Sequence, residues 1–451
     1  MWSGATILCA SEAVQAQILG AEIPWLQEAL HLRKPVLQSK TWPGQDFAGL
    51  LLMDPLSWLQ QRLSHLLGDP SSCGGLPFPT NIPLLIDGAE QLEDWLQQSL
   101  TLRITSKDWP ILQRAVPALA DRISQIQVDL TLALMQRPLA ALLLHEDEKQ
   151  GLRDLLQELP QEAAHIPITW RALQKQISCP HRVLWAEAHR ETGQFTLHSS
   201  PIDLATAAGH LWTAQPVVLM GEALDLDRQA LNFRQRLGLP DLTALRFLPD
   251  STAYAGRQDQ SLQLYLPLLP PPNSPQFREA LLTELKRLIC EVAGAVVVLV
   301  SDQPLQAQVG AALAAEFGSR VRVNLPYQAG KGILVCGWEY WLDQKAHLPK
   351  PDLLAIATLP FPSMEHPLVA GHVQYLQQQR QDWFRTYLLP IAAAYLQRGI
   401  TPLRHRSGRS AEATPSLVAI LDSRIIARSY GAQLLDPLGP IARLSRSQLF
   451  A

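Results

Sequence analysis

The sequence predicts a two-domain α/β protein built on two doubly wound parallel sheets, the first interrupted by a helical insertion. Three observations carry this expectation. Short apolar runs alternate with stretches of helical spacing in both halves, the pattern of parallel strands joined by crossover helices. Between about residues 97 and 180 that alternation gives way to Leu-, Gln- and Ala-rich sequence of helical period with no strand candidates. Finally, 451 residues exceed one ordinary core, since a domain takes roughly 100–200.

In chain order, "GATILCASEAV" (4–14) reads as a short buried strand passing through Ser11 into a helix, whose apolar spacing continues to about Leu30. Further strands are expected at "FAGLLLMD" (47–54) and "IPLLID" (82–87). After the helical stretch, "RVLWAEA" (182–188), "QFTLHS" (194–199) and "PVVLMG" (216–221) read as the first sheet resuming. The proline-dense "YLPLLPPPNSP" (265–275) suits neither a helix nor a central strand and opens the second sheet unit. A long helix follows from 277. Strands are then expected at "AVVVLVS" (295–301), "GILVCG" (332–337), "DLLAIATLPFP" (352–362) and "SLVAILDSRI" (416–425), with helices between them. The expected boundaries are 1–96 and 181–226 for the first sheet domain, 97–180 for the insertion and 227–451 for the second domain.

Composition narrows the function classes. At 47% hydrophobic and 18% charged residues the chain has the make-up of a globular protein rather than a disordered one. A formal net charge of −3 argues against a dedicated polybasic binder, while leaving local basic grooves open. No apolar run approaches the roughly 20 residues that span a bilayer, and no signal segment opens the chain, so a cytoplasmic protein with no membrane partner is expected. Cys9, Cys73, Cys179, Cys290 and Cys336 are widely spaced without a C-x-x-C pair, the pattern of reduced, mostly buried thiols. There is no H-E-x-x-H and no nucleophile elbow, and His181, His189 and His198 spread over two strands and a loop, which does not suit a zinc site.

Several strings, in the right order over essentially the whole chain, resemble the DinG/XPD branch of superfamily-two helicases. "LLIDGAEQLEDW" (84–95) sits where that family has a strand ending in Asp-Glu-Ala-His. "VVLMGEALDLDRQALNFRQRLGL" (217–239) resembles the family's next strand and its Phe-x-x-Arg-Leu-Gly-Leu helix, and "IATLPFPSMEHPLVAGH" (356–372) has its Leu-Pro-Phe-Pro text. The closest likeness is at the carboxyl end, where "DWFRTYLLPIAAAYLQRGITPLRHRS" is followed by "SLVAILDSRIIARSYG". The resemblance implies two RecA-like domains, the insertion corresponding to the family's helical arch, and an ATP-driven helicase that moves on single-stranded DNA. It also implies ATP with magnesium, an Asp holding the metal, an adjacent Glu positioning water, and arginines from the second domain reaching the γ-phosphate.

Those roles carry over only where residues match. Phosphoryl transfer needs a phosphate cradle, a metal, a water-positioning group and positive charge for the transition state. The G-x-x-x-x-G-K-[ST] cradle is absent from the 451 residues, and its usual place lies before residue 1, so the chain is expected either to be truncated there or to have lost the loop. Asp87 matches the magnesium position. Gly88 replaces the water-positioning Glu, leaving Glu90, with Glu93 beyond it, as the nearest carboxylate able to substitute; the alternative is that Asp87 caps the next turn and residues 90–94 form a solvated helix start.

In "CGWEYWLDQK" (336–345), Glu339 and Asp343 resemble the family's nucleotide-site Glu and Asp with one extra residue between them, and Trp338 and Trp341 read as core filler. Aligned from Leu389-Pro390, Gly399 keeps the family's glycine, while Arg398, Pro402 and His405 replace a Gln and two arginines. Arg404, Arg406 and Arg409 flank those positions and suit phosphate, or else form a solvated basic loop. The family's four-cysteine iron–sulfur cluster has no counterpart, since Cys73 stands alone between residues 10 and 84. The expectation is therefore a DinG/XPD-type helicase impaired in ATP hydrolysis. The alternatives are a catalytically inactive pseudo-helicase that binds nucleic acid or acts as a scaffold, and a body that serves mainly as a protein partner.

Overall fold

Strands and helices alternate through most of the chain, which in the computed structural model is described for residues 4–31, 34–66, 78–160, 165–179, 181–213, 215–245, 262–292, 294–404, 417–439 and 441–449. It divides into two compact units. The first comprises Met1–Glu222, Leu231–Leu242 and Ser363–Trp383; the second Ala223–Ala230, Thr243–Pro362 and Phe384–Ala451. The segments 231–242 and 363–383, expected in the second domain, thus pack with the first.

In the first unit β1 (Thr6–Cys9), β2 (Val36–Gln38), β3 (Leu50–Met53) and β4 (Leu84–Asp87) join a strand further along the chain in a parallel sheet. β1 is flanked by β3 and β4, with Leu8 opposite Leu52 on one side and Leu85 on the other. Leu51, Leu52, Leu84 and Ile86 are essentially inaccessible, as expected of parallel strands covered on both faces. β2 escaped the sequence reading because it is only three half-exposed or exposed residues long.

The insertion differs from expectation. It contains β5 (Leu102–Ile104) and β6 (Ala141–Leu143), and these pair with β7 (Arg182–His189) and β8 (Gln194–Pro201) in an antiparallel sheet of order β5-β8-β7-β6. Residues 182–201 therefore close the insertion instead of resuming the parallel sheet. The physical reason is the four-residue turn 190–193, with Gly193 at φ +63°: so short a connection can join antiparallel neighbours only. Alternate residues then face opposite ways. Ala186, Ala188, Phe195 and Leu197 enter the insertion's own core with Trp109 and Trp170, whose rings meet edge-on at 4.9 Å. Trp185 and His198 face the other side, where the helix Pro367–Gln378 crosses β7, and a side chain at Gly371 would collide with Val183. The chain then returns through β9 (Val217–Met220), completing the parallel order β2-β3-β1-β4-β9.

The second unit is a seven-stranded, wholly parallel sheet. Its strands are β10 (Leu262–Tyr265), β11 (Val296–Leu299), β12 (Val321–Val323), β13 (Ile333–Cys336), β14 (Leu353–Ile356), β15 (Leu417–Ile420) and β16 (Ile441–Leu444), in the order β12-β13-β11-β14-β15-β10-β16. Every residue of β11, β13, β14 and β15 is buried. Val297, Leu334, Leu354 and Val418 face one helical layer, and Val296, Ile333, Leu353 and Leu417 the other, so the sheet is doubly wound. Residues 266–276 are irregular, as their prolines require. Among the described residues no helix is long and apolar enough to cross a membrane.

Candidate functional site

In the first unit the site is built on the carboxyl end of β4. The strand stops because Asp87 is followed by Gly88, which turns the chain with left-handed backbone (φ 73°, ψ 31°) and heads a 3₁₀ turn, Ala89–Gln91. Glycine suits this position twice over. It adopts positive φ without steric cost, and a Cβ would sit 3.3 Å from the Trp95 ring. The helix Leu92–Leu100 follows, anchored by buried Leu92 and Leu96.

Asp87 is half-buried, and burial raises its carboxyl pKa above the ordinary value. The Gly88 amide, hydrogen-bonded to the carboxylate, works against that shift, while the negative charge of Glu222 adds to it. The Glu90 Oε2 accepts from the Glu222 amide at 3.3 Å, linking the turn after β4 to the segment after β9. Glu93 pairs with Arg236 at 3.1 Å, on the helix Leu231–Leu237. The expected solvated helix start is thus partly an anchored one, with Glu90 and Glu93 each holding a segment more than a hundred residues away in sequence. The Asp87 carboxylate thus feels the charge of Glu222 at this sheet end, and Glu90 is tied to the same segment through the Glu222 amide. Among the described residues, no group of three or more His, Cys, Asp or Glu side chains is arranged to hold a metal ion.

In the second unit, β13 leads through Gly337 into the helix Trp338–Gln344. Glu339 and Asp343 lie four residues apart on it, and both are exposed. Trp338 and Trp341 are buried, as expected of core filler, and each indole N–H is satisfied: Trp338 donates to Thr358 O at 3.3 Å and Trp341 to Gly399 O at 2.8 Å. Gly399 is required by close approach, because a Cβ there would lie 2.7 Å from the Trp338 ring.

Gly399 belongs to the helix Leu389–Arg404, which also contains Pro402. A proline has no N–H for the carbonyl four residues earlier, here that of Arg398. The Lys345 ammonium takes the missing place, donating to Arg398 O at 2.8 Å. Arg398 is itself buried, its guanidinium 5.7 Å from the Tyr395 ring centroid. Arg404 donates to Leu438 O, and burial lowers its pKa. Arg406, like His405 and Arg409, lies outside the described residues. Among the described residues no ion pair joins Arg404 to Glu339 or Asp343.

One further residue was read from sequence only as the acid of an Asp-x-Arg pattern in the closing strand. Asp422, just beyond β15, is wholly inaccessible; it accepts from the Leu359 amide at 2.9 Å and from Arg424 through the backbone N (3.0 Å), Nε (2.9 Å) and Nη2 (2.6 Å). It clamps the ends of β14 and β15 together. The signal was present in "ILDSR", an apolar strand running straight into an acid two residues before an arginine.

No family model matches the chain. In sequence it is 26% identical over 287 residues to the ATP-dependent DNA helicase YoaA of Escherichia coli (strain K12), which covers 60% of this chain and 42% of that protein. The chain therefore spans less than half the length of this relative. Among solved structures, Xpd4 of S. tokodaii superposes with a TM-score of 0.57 at 15% identity, over 98% of this chain and 91% of that one. An apo XPD structure gives a TM-score of 0.57 at 10% identity, over 98% and 92%. These two likenesses establish the fold as a pair of RecA-like domains.

Proposed function

We propose that this chain, which is similar over part of its length to an ATP-dependent DNA helicase and shares its fold with XPD structures, binds single-stranded DNA and is impaired in hydrolysing ATP. The observation that carries the second half is Gly88. Where the related enzymes place a carboxylate to orient the attacking water, this chain has a left-handed turn residue packed over Trp95. No side chain reaches forward from that position, and Glu90, the nearest substitute, is held by the Glu222 amide.

Magnesium and ATP fit this sheet end only in part. Asp87 is a suitably placed hard oxygen ligand. Against it stands the negative charge of Glu222, which already acts on Asp87 and would repel a polyphosphate. No hydrolytic step is assigned to these residues.

The test is ATP hydrolysis by the 451-residue chain with and without single-stranded DNA, beside DNA binding measured in parallel. The expected outcome is binding that weakens with salt and no DNA-stimulated turnover. Gly88→Glu is expected not to restore turnover, because its backbone must hold positive φ. Robust DNA-stimulated hydrolysis by the unmodified chain overturns the impaired reading.

A further inference from the structure

Among the described residues, every sheet edge but one is guarded against a further strand. The edge strands β5, β12 and β16 each carry an exposed arginine, Arg103, Arg322 and Arg443, and charge on an edge deters pairing. At the β6 edge the Arg137 guanidinium donates to Leu143 O at 2.9 Å. β2 is three residues long, with Gln38 bonded to Gln15. β9, the other edge of the first parallel sheet, has no such device: its "VVLM" holds neither charge nor proline.

The register fixes which groups of β9 face outward. Leu84 is paired with Val217 and donates its N–H to Pro216 O at 2.9 Å, so the even-numbered residues turn their amides and carbonyls to β4. The N–H and C=O of Val217 and Leu219 point along the open edge, where no partner for them exists among the described residues. Side chains alternate too. Val218 is 54% and Met220 38% exposed, on the sheet face that leaves Leu85 and Leu8 half-buried. A parallel sheet is ordinarily covered on both faces, so this apolar corner lacks a cover.

We propose that the β9 edge binds a second copy of this chain, the two β9 strands pairing antiparallel across a two-fold axis at Val218. The edge is self-complementary. With Val218 opposite its own counterpart, Val217 of each copy stands opposite Leu219 of the other, so each outward N–H meets an outward C=O and the two five-stranded sheets become continuous. The exposed Val218 side chains then meet in the close, non-hydrogen-bonded position.

Charge favours this direction of pairing. Glu222 lies just beyond one end of β9, while Arg62, on the helix Pro55–Leu66, donates to Gln215 Oε1 at 3.4 Å just before the other end. Antiparallel pairing brings Glu222 of each copy towards the Arg62 end of the other, whereas parallel pairing would set Glu222 beside Glu222. Four residues of edge bury less than the roughly 800 Å² per partner of a standard interface, so the dimer is one that dissociates on dilution.

Sedimentation velocity of the full chain from about 1 µM to about 200 µM is expected to show monomer passing into dimer as concentration rises. Val218→Lys sets two ammonium groups face to face at the axis and is expected to weaken association at least about tenfold. Leu268→Lys, which removes an apolar side chain 84% exposed in the second unit, is expected to leave it unchanged. A second measurement does not depend on the lysine variant folding. In a Cys73→Ser, Cys179→Ser, Cys290→Ser background, Val218→Cys is expected to join two chains by a disulfide when oxidised in air with copper phenanthroline, and Leu268→Cys is not. Unmodified chain that stays monomeric at about 200 µM overturns the proposal and leaves the edge to a strand from a different polypeptide. A dimer that survives Val218→Lys, with no link through Val218→Cys, is held elsewhere and overturns it as well.

Discussion

His198 shows most directly how a single residue's setting determines its chemistry. It is nearly inaccessible, stacked on the Trp185 indole at 4.0 Å, and its pKa is pushed down to about 4, chiefly by burial. Glu187, 3.5 Å away, opposes that shift, and the charge of Arg103 reinforces it. Because the folded-state value lies below the unfolded one, the unfolded chain binds the extra proton. Stability from this group is therefore complete above about pH 6.5 and is lost as pH falls towards 4. At about pH 5 the loss is on the order of 2 kcal/mol. Denaturant unfolding of the unmodified chain and of His198→Phe across this range is expected to show a shallower acid decline in the variant; identical declines would refute the assignment. At the same scale, the sequence resemblance drew notice to Gly88, standing where it implied a Glu. Its positive φ and its contact with Trp95 were not legible there, since both are set by how the helix Leu92–Leu100 folds back.

Among the elements, the helix Leu389–Arg404 illustrates compensation between segments. Pro402 leaves an orphaned carbonyl at Arg398 that Lys345 satisfies from a separate helix. Lys345→Met is expected to destabilise the chain by about 1–3 kcal/mol, the penalty of an unsatisfied buried acceptor. Pro402→Ala restores the missing N–H, so it should recover most of that loss in the Lys345→Met background and matter far less alone. A double-mutant cycle from denaturant unfolding measures the coupling, and additive effects would exclude the compensation. The sequence resemblance implied an arginine at the position of Pro402. Lys345 as its structural partner lies 57 positions away, and no local pattern connects them.

At the scale of the whole molecule, the insertion is a body with its own core, enclosed by β5 to β8 and the helices between them. Leu102 pairs with Ser199, so its two ends lie side by side. A fragment from Thr101 to Ile202 is expected to fold alone, with cooperative thermal unfolding and an ordered near-ultraviolet signal from the Trp109–Trp170 pair. A fragment lacking both would show that this core depends on the rest of the first unit.

The sequence by itself determined the two doubly wound sheets, the interruption of the first, and the order of motifs that aligns the chain with DinG/XPD-type helicases. Hydropathy period is a local property, and runs such as "AVVVLV" encode buried parallel strands wherever they pair. Only the tertiary structure decided that residues 182–201 complete the insertion, that Glu90 reaches the Glu222 amide, that Gly399 admits Trp338, and that Phe361, Phe384 and Tyr430 pack together. Period records which face of a segment is buried and says nothing of its partner. Partner choice comes from chain crossings and close packing between residues tens to hundreds of positions apart, and the candidate site consists almost wholly of such contacts.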